Sequence, residues 1–512
     1  MPTARPTAPQ LWTAGLIANL ITCAGVCAGY ALSSPLYGTK DEVAHVDHAY
    51  QLWHGTLISI GDPMRMPQIW GYTLPFDWTG QHPPLFYLLL APVVGPLTDA
   101  GHLLAAGMAA RGIALVITCL VVAAVMWTTR QIVPSRPEVS VAAGLVTALS
   151  PALTRLGGVV FNDNLFVLWA TLLVGQTVWL LRNGSRTGGL VLFGLYAAAA
   201  LGTRLPGVVF IGLCATTLGL VWLLGPRRDW AGILRLGVGV LLAVAVNAWF
   251  YIRNFRATGN WSGMQTDLVG KPGGPLQERE VRPVIDVATD SDIWRQLLIP
   301  PALQEHVTIG AVLTIVPLVL GLVVGLRAFW EIARPWPPAA RRDTGALAAL
   351  SSLDGATRPP SRLRLASTPV SRRSRRRPQP RDLPSRREPV RVATALLLLA
   401  LTAVIVGIQL NYAAGGGGAY WRYLIPLTVV TSLLTALGLA ATPRLAGPAV
   451  AVWAAAAFAV FAAHVAPPNP SGGDLATAPV FQSAAWVATG IAGLACMAGV
   501  VTVLLVAVVR SR

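Results

Sequence analysis

Residues 11–32 read LWTAGLIANLITCAGVCAGYAL, and residues 38–50, a few positions on, read GTKDEVAHVDHAY. The first run is apolar for long enough to cross a hydrocarbon core about 30 Å thick as a helix. It is too long for the core of a signal peptide and shows no convincing cleavage site, so it is read as a retained first helix. Similar runs recur near 105–128, 139–158, 164–182, 188–204, 206–225, 231–252, 307–330, 393–410, 423–442, 446–464 and 483–509. Apolar residues make up 54% of the chain and charged ones 12%, roughly half the charged share of a soluble domain, and the mean hydropathy is +0.58. The expected fold is an all-α polytopic membrane protein of about twelve spans, eleven to thirteen. Residues 84–97 (PLFYLLLAPVVGPL) are short for a span and suit a helix lying in the interface.

Charge sets the expected orientation. The net charge is +17, and Glu331 to Arg391 alone holds fifteen Arg against five acids, a net +10. This Arg- and Pro-rich loop, 331–392, reads as a disordered cytoplasmic segment drawn to anionic headgroups of membrane lipids. Trp336, near its start, is the one aromatic residue among its arginines and the dense Arg run has none, so nucleic acid is not an expected partner. It divides a 1–330 module, with outer loops 33–104 and 253–306, from C-terminal helices in 393–512. Connections after even-numbered helices (RQIVPSR, RNGSR, GPRR, the Arg-rich loop, TPR and the final RSR) are all basic. The positive-inside rule then puts both termini in the cytoplasm and the 38–50 stretch outside. Cys23, Cys27, Cys119, Cys214 and Cys496 all fall in apolar runs, which suits small buried residues and neither a disulfide framework nor zinc spacing.

Five polar stretches gather at the outer end. Asp41 and Glu42 open a helical pattern in which Asp41 and His45 share one face. Acids here also suit helix capping, with Asp41 as N-cap. A zinc set of Asp41 or Glu42 with His45 and His48 is a further reading that lacks a fourth ligand. Gln81-His82-Pro83-Pro84-Leu85 makes a stiff entry to the next apolar segment. Phe161-Asn162-Asp163-Asn164 ends the third helix. Arg204, Arg253 and Arg256 lie on the side where cations are unexpected. A surface phosphate would explain them, and so would snorkelling to headgroups. Last comes Ala419-Tyr420-Trp421-Arg422-Tyr423-Leu424-Ile425-Pro426, which suits either a lipid-linked phosphate or an aromatic belt with one anchor.

Taken in order and sidedness, DE…H, HPPL, ND, RN…TG and RYLIP resemble the GT-C superfamily of membrane glycosyltransferases. The likeness is to the bacterial branch that includes protein O-mannosyltransferases and aminoarabinose–lipid A transferases. It covers most of the chain apart from the 331–391 loop and the last two helices. It implies an enzyme of the bacterial plasma membrane that moves a hexose or pentose from a polyprenyl-phosphate donor to a hydroxyl on a glycan, lipid or protein. Transfer would occur at the outer face, in a single inverting displacement. Asp41 would be the general base, Glu42 would orient it or the acceptor, and Asp163 would be a second carboxylate. Arg204, Arg253 and Arg422 would meet the donor phosphate, with His45, His82, Arg256, Tyr420 and Tyr423 as further substrate contacts. No metal ligand is assigned and no cofactor is called for, although a divalent metal is left open. Two departures stand out: Arg204 sits where relatives often carry Lys, and the Arg-rich loop is additional. The rival class is a transporter or lipid flippase, which would be expected to show midplane charges and an internal repeat.

Overall fold

A computed structural model describes residues 8–38, 40–59, 61–67, 76–225, 228–263, 281–299, 307–333, 387–442, 445–465 and 479–511. Most of the Arg-rich loop lies outside them, so the disorder expected there does too. The described residues form helices and no strand. In chain order the helices are α1 (Ala8–Ser33), α2 (Lys40–Trp53), α3 (Leu85–Asp99), α4 (Leu103–Ile132), α5 (Pro137–Ala148), α6 (Pro151–Gly157), α7 (Asp163–Asn183), α8 (Thr187–Leu201) and α9 (Gly207–Leu224). They continue as α10 (Trp230–Thr258), α11 (Val284–Thr289), α12 (Ser291–Leu298), α13 (Val307–Ala333), α14 (Arg387–Ala414), α15 (Thr428–Leu439), α16 (Ala446–Val465) and α17 (Pro479–Ser511). Two 3-10 turns lie at Thr79–Gln81 and Trp421–Leu427.

Each of the twelve apolar runs is helical. Among the described residues ten helices are long and apolar enough to cross a membrane, and a bent pair makes an eleventh. That pair is α5 and α6, where the single run expected over 139–158 breaks by 57°. Pro151 causes it, because it has no N–H to continue the ladder and opens a new helix at its first position. The twelfth run, α8, has only 15 residues. The run expected over 231–252 continues to Thr258 and ends at Gly259 in the left-handed region, φ +70, so Arg253 and Arg256 lie on its last turns.

α7 is the centre of the bundle, packed by α4, α8 and α9. By contrast α10 and α13 expose apolar faces, such as Leu241, Val246 and Val323, that suit lipid. The basic turns meet at one end. Arg182 donates to the Ile132 carbonyl at 3.1 Å, Arg235 to the Thr187 hydroxyl at 3.0 Å and Arg136 to the Ala440 carbonyl at 2.6 Å. At the other end gather the start of α2, the Thr79–Gln81 turn, the start of α7, the α8–α9 link and the Trp421–Leu427 turn.

α13 crosses α15 with no room for side chains at two points. A Cβ on Gly438 would strike the Pro317 carbonyl oxygen, and one on Gly321 would strike that of Leu434. Close backbone approach through small residues is how helices associate where lipid removes the hydrophobic driving force. Gly438→Val should therefore lower stability by about 1–3 kcal/mol through overpacking. The check is the apparent Tm of the purified protein, with Gly407→Val, at an open position, as the control.

Candidate active site

Adjacent residues on a helix point about 100° apart, and at the start of α2 this sends the two acids to different places. Glu42 is fully buried. Arg111 of α4 forks onto it, Nε to Oε1 at 2.7 Å and Nη2 to Oε2 at 2.8 Å. The Tyr37 and Val160 amides add bonds of 3.1 and 3.3 Å. Arg111 places its other donors on the carbonyls of Ala31, Ser34 and Pro35 at 2.6–2.9 Å. One ion pair thus ties the end of α1, the turn into α2, α4 and the α6–α7 link. Glu42, expected among the catalytic groups, is thus buried with both carboxylate oxygens bonded, while Asp41 is its neighbour in the chain.

Asp41 is not an N-cap, since α2 already begins at Lys40, and its carboxylate leaves the helix. Oδ2 accepts from Arg422 Nη1 at 2.5 Å and Oδ1 from the Trp78 indole N–H at 3.0 Å. Burial would push the Asp41 pKa up. The Arg422 charge and hydrogen bond, aided by the Trp78 bond, outweigh it and hold the group below the usual carboxylate range. Arg422 in turn lies 5.3–5.7 Å from the rings of Phe161, Tyr420 and Tyr423, the geometry of cation–π contact. The second expected carboxylate, Asp163, is ion-paired with Arg204.

The histidines stand beside these pairs as neutral rings. His45 Nδ1 is 2.8 Å from the Tyr87 hydroxyl, and the ring stacks at 6.0 Å on His82. Burial drives His45 down to about 3, Asp41 opposing this and Arg204 and Arg422 adding to it. Burial likewise holds His82 and His48 well below their ordinary value. His48 stacks on Tyr87 at 3.6 Å and bonds Thr79 Oγ1 at 3.0 Å.

The structure therefore brings together Asp41, Asp163, His45, His82, Arg204, Tyr420, Arg422 and Tyr423. It separates Arg253, whose Nη2 is spent on the Leu57 and Ile58 carbonyls and the Ser59 hydroxyl at 2.7–2.9 Å. Arg256 is exposed outside the group. The zinc set is not assembled, because Glu42 is taken by Arg111 and the two histidines turn Nδ1 to Tyr87 and Thr79. Among the described residues no three His, Cys, Asp or Glu side chains converge to hold an ion, and the site carboxylates are matched to guanidiniums. A cavity of about 500 Å³ lined by Trp127, Trp179 and Arg186 lies at the basic end, away from this chemistry.

Three participants were not foreseen. Trp78 lies in the 33–104 loop with nothing around it to mark a bond to Asp41. Arg111 was visible as a lone cation in an apolar run, about 12 Å inside α4 at 1.5 Å per residue. The third is a buried carboxyl pair behind His48. Asp77 accepts from the Thr79 amide and hydroxyl at 2.6 and 2.7 Å, and Asp47 accepts from Gln51 and the Arg65 and Met66 amides at 2.6–2.9 Å. Burial and the charge of Asp47 push Asp77 well above the usual range.

Comparison with known proteins finds no matching family model and no matching curated protein. Among solved structures, ArnT from Cupriavidus metallidurans in the apo state is similar, at 13% identity and a TM-score of 0.47, over 97% of this chain and 77% of that one. ArnT bound to undecaprenyl phosphate gives 13% and 0.45, over 97% and 78%. The Archaeoglobus fulgidus oligosaccharyltransferase in complex with Zn and sulfate gives 12% and 0.45, over 89% of this chain but 53% of that one, so this chain spans about half its length. These neighbours are GT-C superfamily membrane glycosyltransferases. Their low identity transfers no residue role, and the functional reading rests on the site itself.

Two measurements test this geometry. Arg111→Met strands a buried carboxylate and should cost about 3–5 kcal/mol, seen as a large fall in apparent Tm, whereas Glu42→Gln keeps an acceptor there and should cost less. Asp77 gives a pH trend. With its folded pKa above the unfolded one, its stabilising share is complete below the unfolded value and is lost as pH rises through the folded value. Asp77→Asn cannot ionise and still accepts from Thr79. Its gain in Tm over the wild type should be larger at about pH 8 than at about pH 5.

Proposed function

We propose that the chain transfers a sugar from a polyprenyl-phosphate donor to an acceptor hydroxyl at the outer face of a bacterial plasma membrane, with Asp41 as general base. The observation that carries this reading is the pairing of Asp41 with Arg422 at 2.5 Å, beside the Asp163–Arg204 pair, at the bundle end opposite the basic turns. A carboxylate next to cations is what glycosyl transfer from a phosphate needs. The acceptor oxygen forms a bond to the anomeric carbon as the carbon–oxygen bond to phosphate breaks. The bonding pair stays on the phosphate oxygen and the acceptor proton goes to Asp41. Attack opposite the leaving group inverts the centre.

The leaving phosphate gains negative charge during the step. Arg204 and Arg422 would therefore grip it more strongly late in the reaction, which is the condition for lowering the barrier rather than only binding the substrate. Asp163 holds Arg204 in place. His45 and His82 remain neutral, so they line the sugar site as hydrogen-bonding surfaces and add no charge that would compete for the phosphate. Tyr420, half-exposed, and Tyr423 would border the path by which the lipid tail stays in the bilayer. The positive-inside rule assigns the basic end, and with it both termini, to the cytoplasm. Arg204 and Arg422 are the arginines placed for substrate contact, while Arg253 Nη2 holds residues 57–59.

The test supplies radiolabelled polyprenyl-phosphate sugars, mannose and arabinose first, to the purified protein in nanodiscs and follows label leaving the lipid. Wild type should release label, and Asp41→Asn should slow release by about 10²–10⁴-fold, the usual worth of a general base. Release that continues unchanged in Asp41→Asn removes the base assignment. A folded wild type that releases label from no donor would sink the enzyme reading.

A further inference from the structure

The Asp41 carboxylate has both oxygens engaged, one by Trp78 and the other by Arg422. Arg422 is also the cation best placed for a donor phosphate. A phosphate that draws this guanidinium toward itself competes with Asp41 for its charge and weakens their short bond. Charge counting makes the conflict sharper. Arg204 and Arg422 balance Asp41 and Asp163, and His45, His48 and His82 are neutral, so this group carries no net charge before a substrate arrives. A phosphodiester adds one negative charge, and among the described residues of this group each cation is already paired with a carboxylate.

Resting on the proposed glycosyl transfer, we propose that the Asp41–Arg422 ion pair is a latch opened by the donor. The donor phosphate takes Arg422 from Asp41, and the carboxylate released in this exchange becomes the base. The surroundings suit a guanidinium that changes partners. Phe161, Tyr420 and Tyr423 lie within 5.7 Å of it and hold its charge whichever anion it bonds. Trp78 stays on Oδ1 and keeps the carboxylate aimed while Oδ2 is freed. Once Arg422 turns away, the groups facing Asp41 are Trp78 and the neutral His45, with Arg204 and His82 behind. Burial then raises its basicity with much less opposition. The base is armed only when a donor is present, so donor binds before acceptor.

The exchange leaves a signature in donor binding that a simple base or a simple phosphate clamp does not. Undecaprenyl phosphate is the probe, and its Kd is measured in nanodiscs for wild type, Asp41→Asn, Arg422→Gln and the double variant, each first shown to be folded by its thermal profile. Binding to wild type must break the ion pair, so Asp41→Asn should tighten it by about tenfold, the worth of one charge-assisted bond. Arg422→Gln should then weaken binding much more in the Asp41→Asn background than in wild type. An equal loss in both backgrounds would mean that Arg422 holds phosphate without releasing Asp41, and it overturns the latch while leaving the proposed function standing. No loss in either background would make Arg422 a partner of Asp41 alone, which also overturns it. If no variant binds the probe, the donor class is wrong and the latch falls with it. Should Arg422→Gln fail to fold, Arg422→Lys, which keeps the charge but loses the fork, carries the same comparison.

Discussion

The buried fork of Arg111 on Glu42 is the constraint on which the site depends. Two ions have left water there, and isolated charges in such a place would cost far more than they return. The structure compensates by satisfying both partners: each Glu42 oxygen has two donors, and Arg111 spreads its five N–H groups over a carboxylate and three carbonyls. Those carbonyls belong to the end of α1 and the turn that follows, where chain leaving a helix would otherwise be short of partners. The fork therefore does for the first outer turn what a cap does for a soluble helix. It also fixes the rotation of α2, and that rotation decides where Asp41 points.

Side by side, the two acids illustrate how burial sorts chemical roles. Glu42 is fully enclosed and each of its oxygens already has two donors, so it is held in place. Asp41, one residue earlier, keeps 28% of its side chain accessible and meets a mobile type of partner, a long side chain on a 3-10 turn. A general base must exchange protons with a reactant, a role that suits the more accessible of the two carboxylates. The neutral histidines fit the same logic. Protonated, they would crowd further cations around Arg204 and Arg422. Enclosed as they are, burial keeps them uncharged.

Much of this was readable from sequence because two signals are nearly context-free. Apolar runs of span length can only be helices in lipid, and all twelve are helical. Asp41, Asp163, Arg204 and Arg422 stood out because charges are so scarce in this chain. What escaped was whatever depends on tertiary direction. Arg253 and Arg422 are alike as letters, each an arginine among aromatics near an outer helix end, yet one staples residues 57–59 and the other meets Asp41. Trp78 carried no signal, because a tryptophan near an interface has many uses. The break at Ser150–Pro151 was within reach, since proline ends a helix by its own geometry. It was missed because the apolar run continues across it.

Arg111 shows why the rule that sets transporters apart needs care. A cation well inside an apolar helix is by default a functional signal, and by that rule it would have argued for a transport pathway. Its partners decide otherwise. Every donor it has is committed to Glu42 or to carbonyls at the end of α1 and in the turn beyond it, which leaves nothing to offer a moving ion. An intramembrane charge becomes evidence for transport only when some of its hydrogen-bonding capacity is left over. Arg422 satisfies the comparable test at the membrane surface, because its bond to Asp41 is a single contact that another anion can replace. The difference between a five-point anchor and a one-point contact is what separates the residue that builds this site from the residue that would operate it.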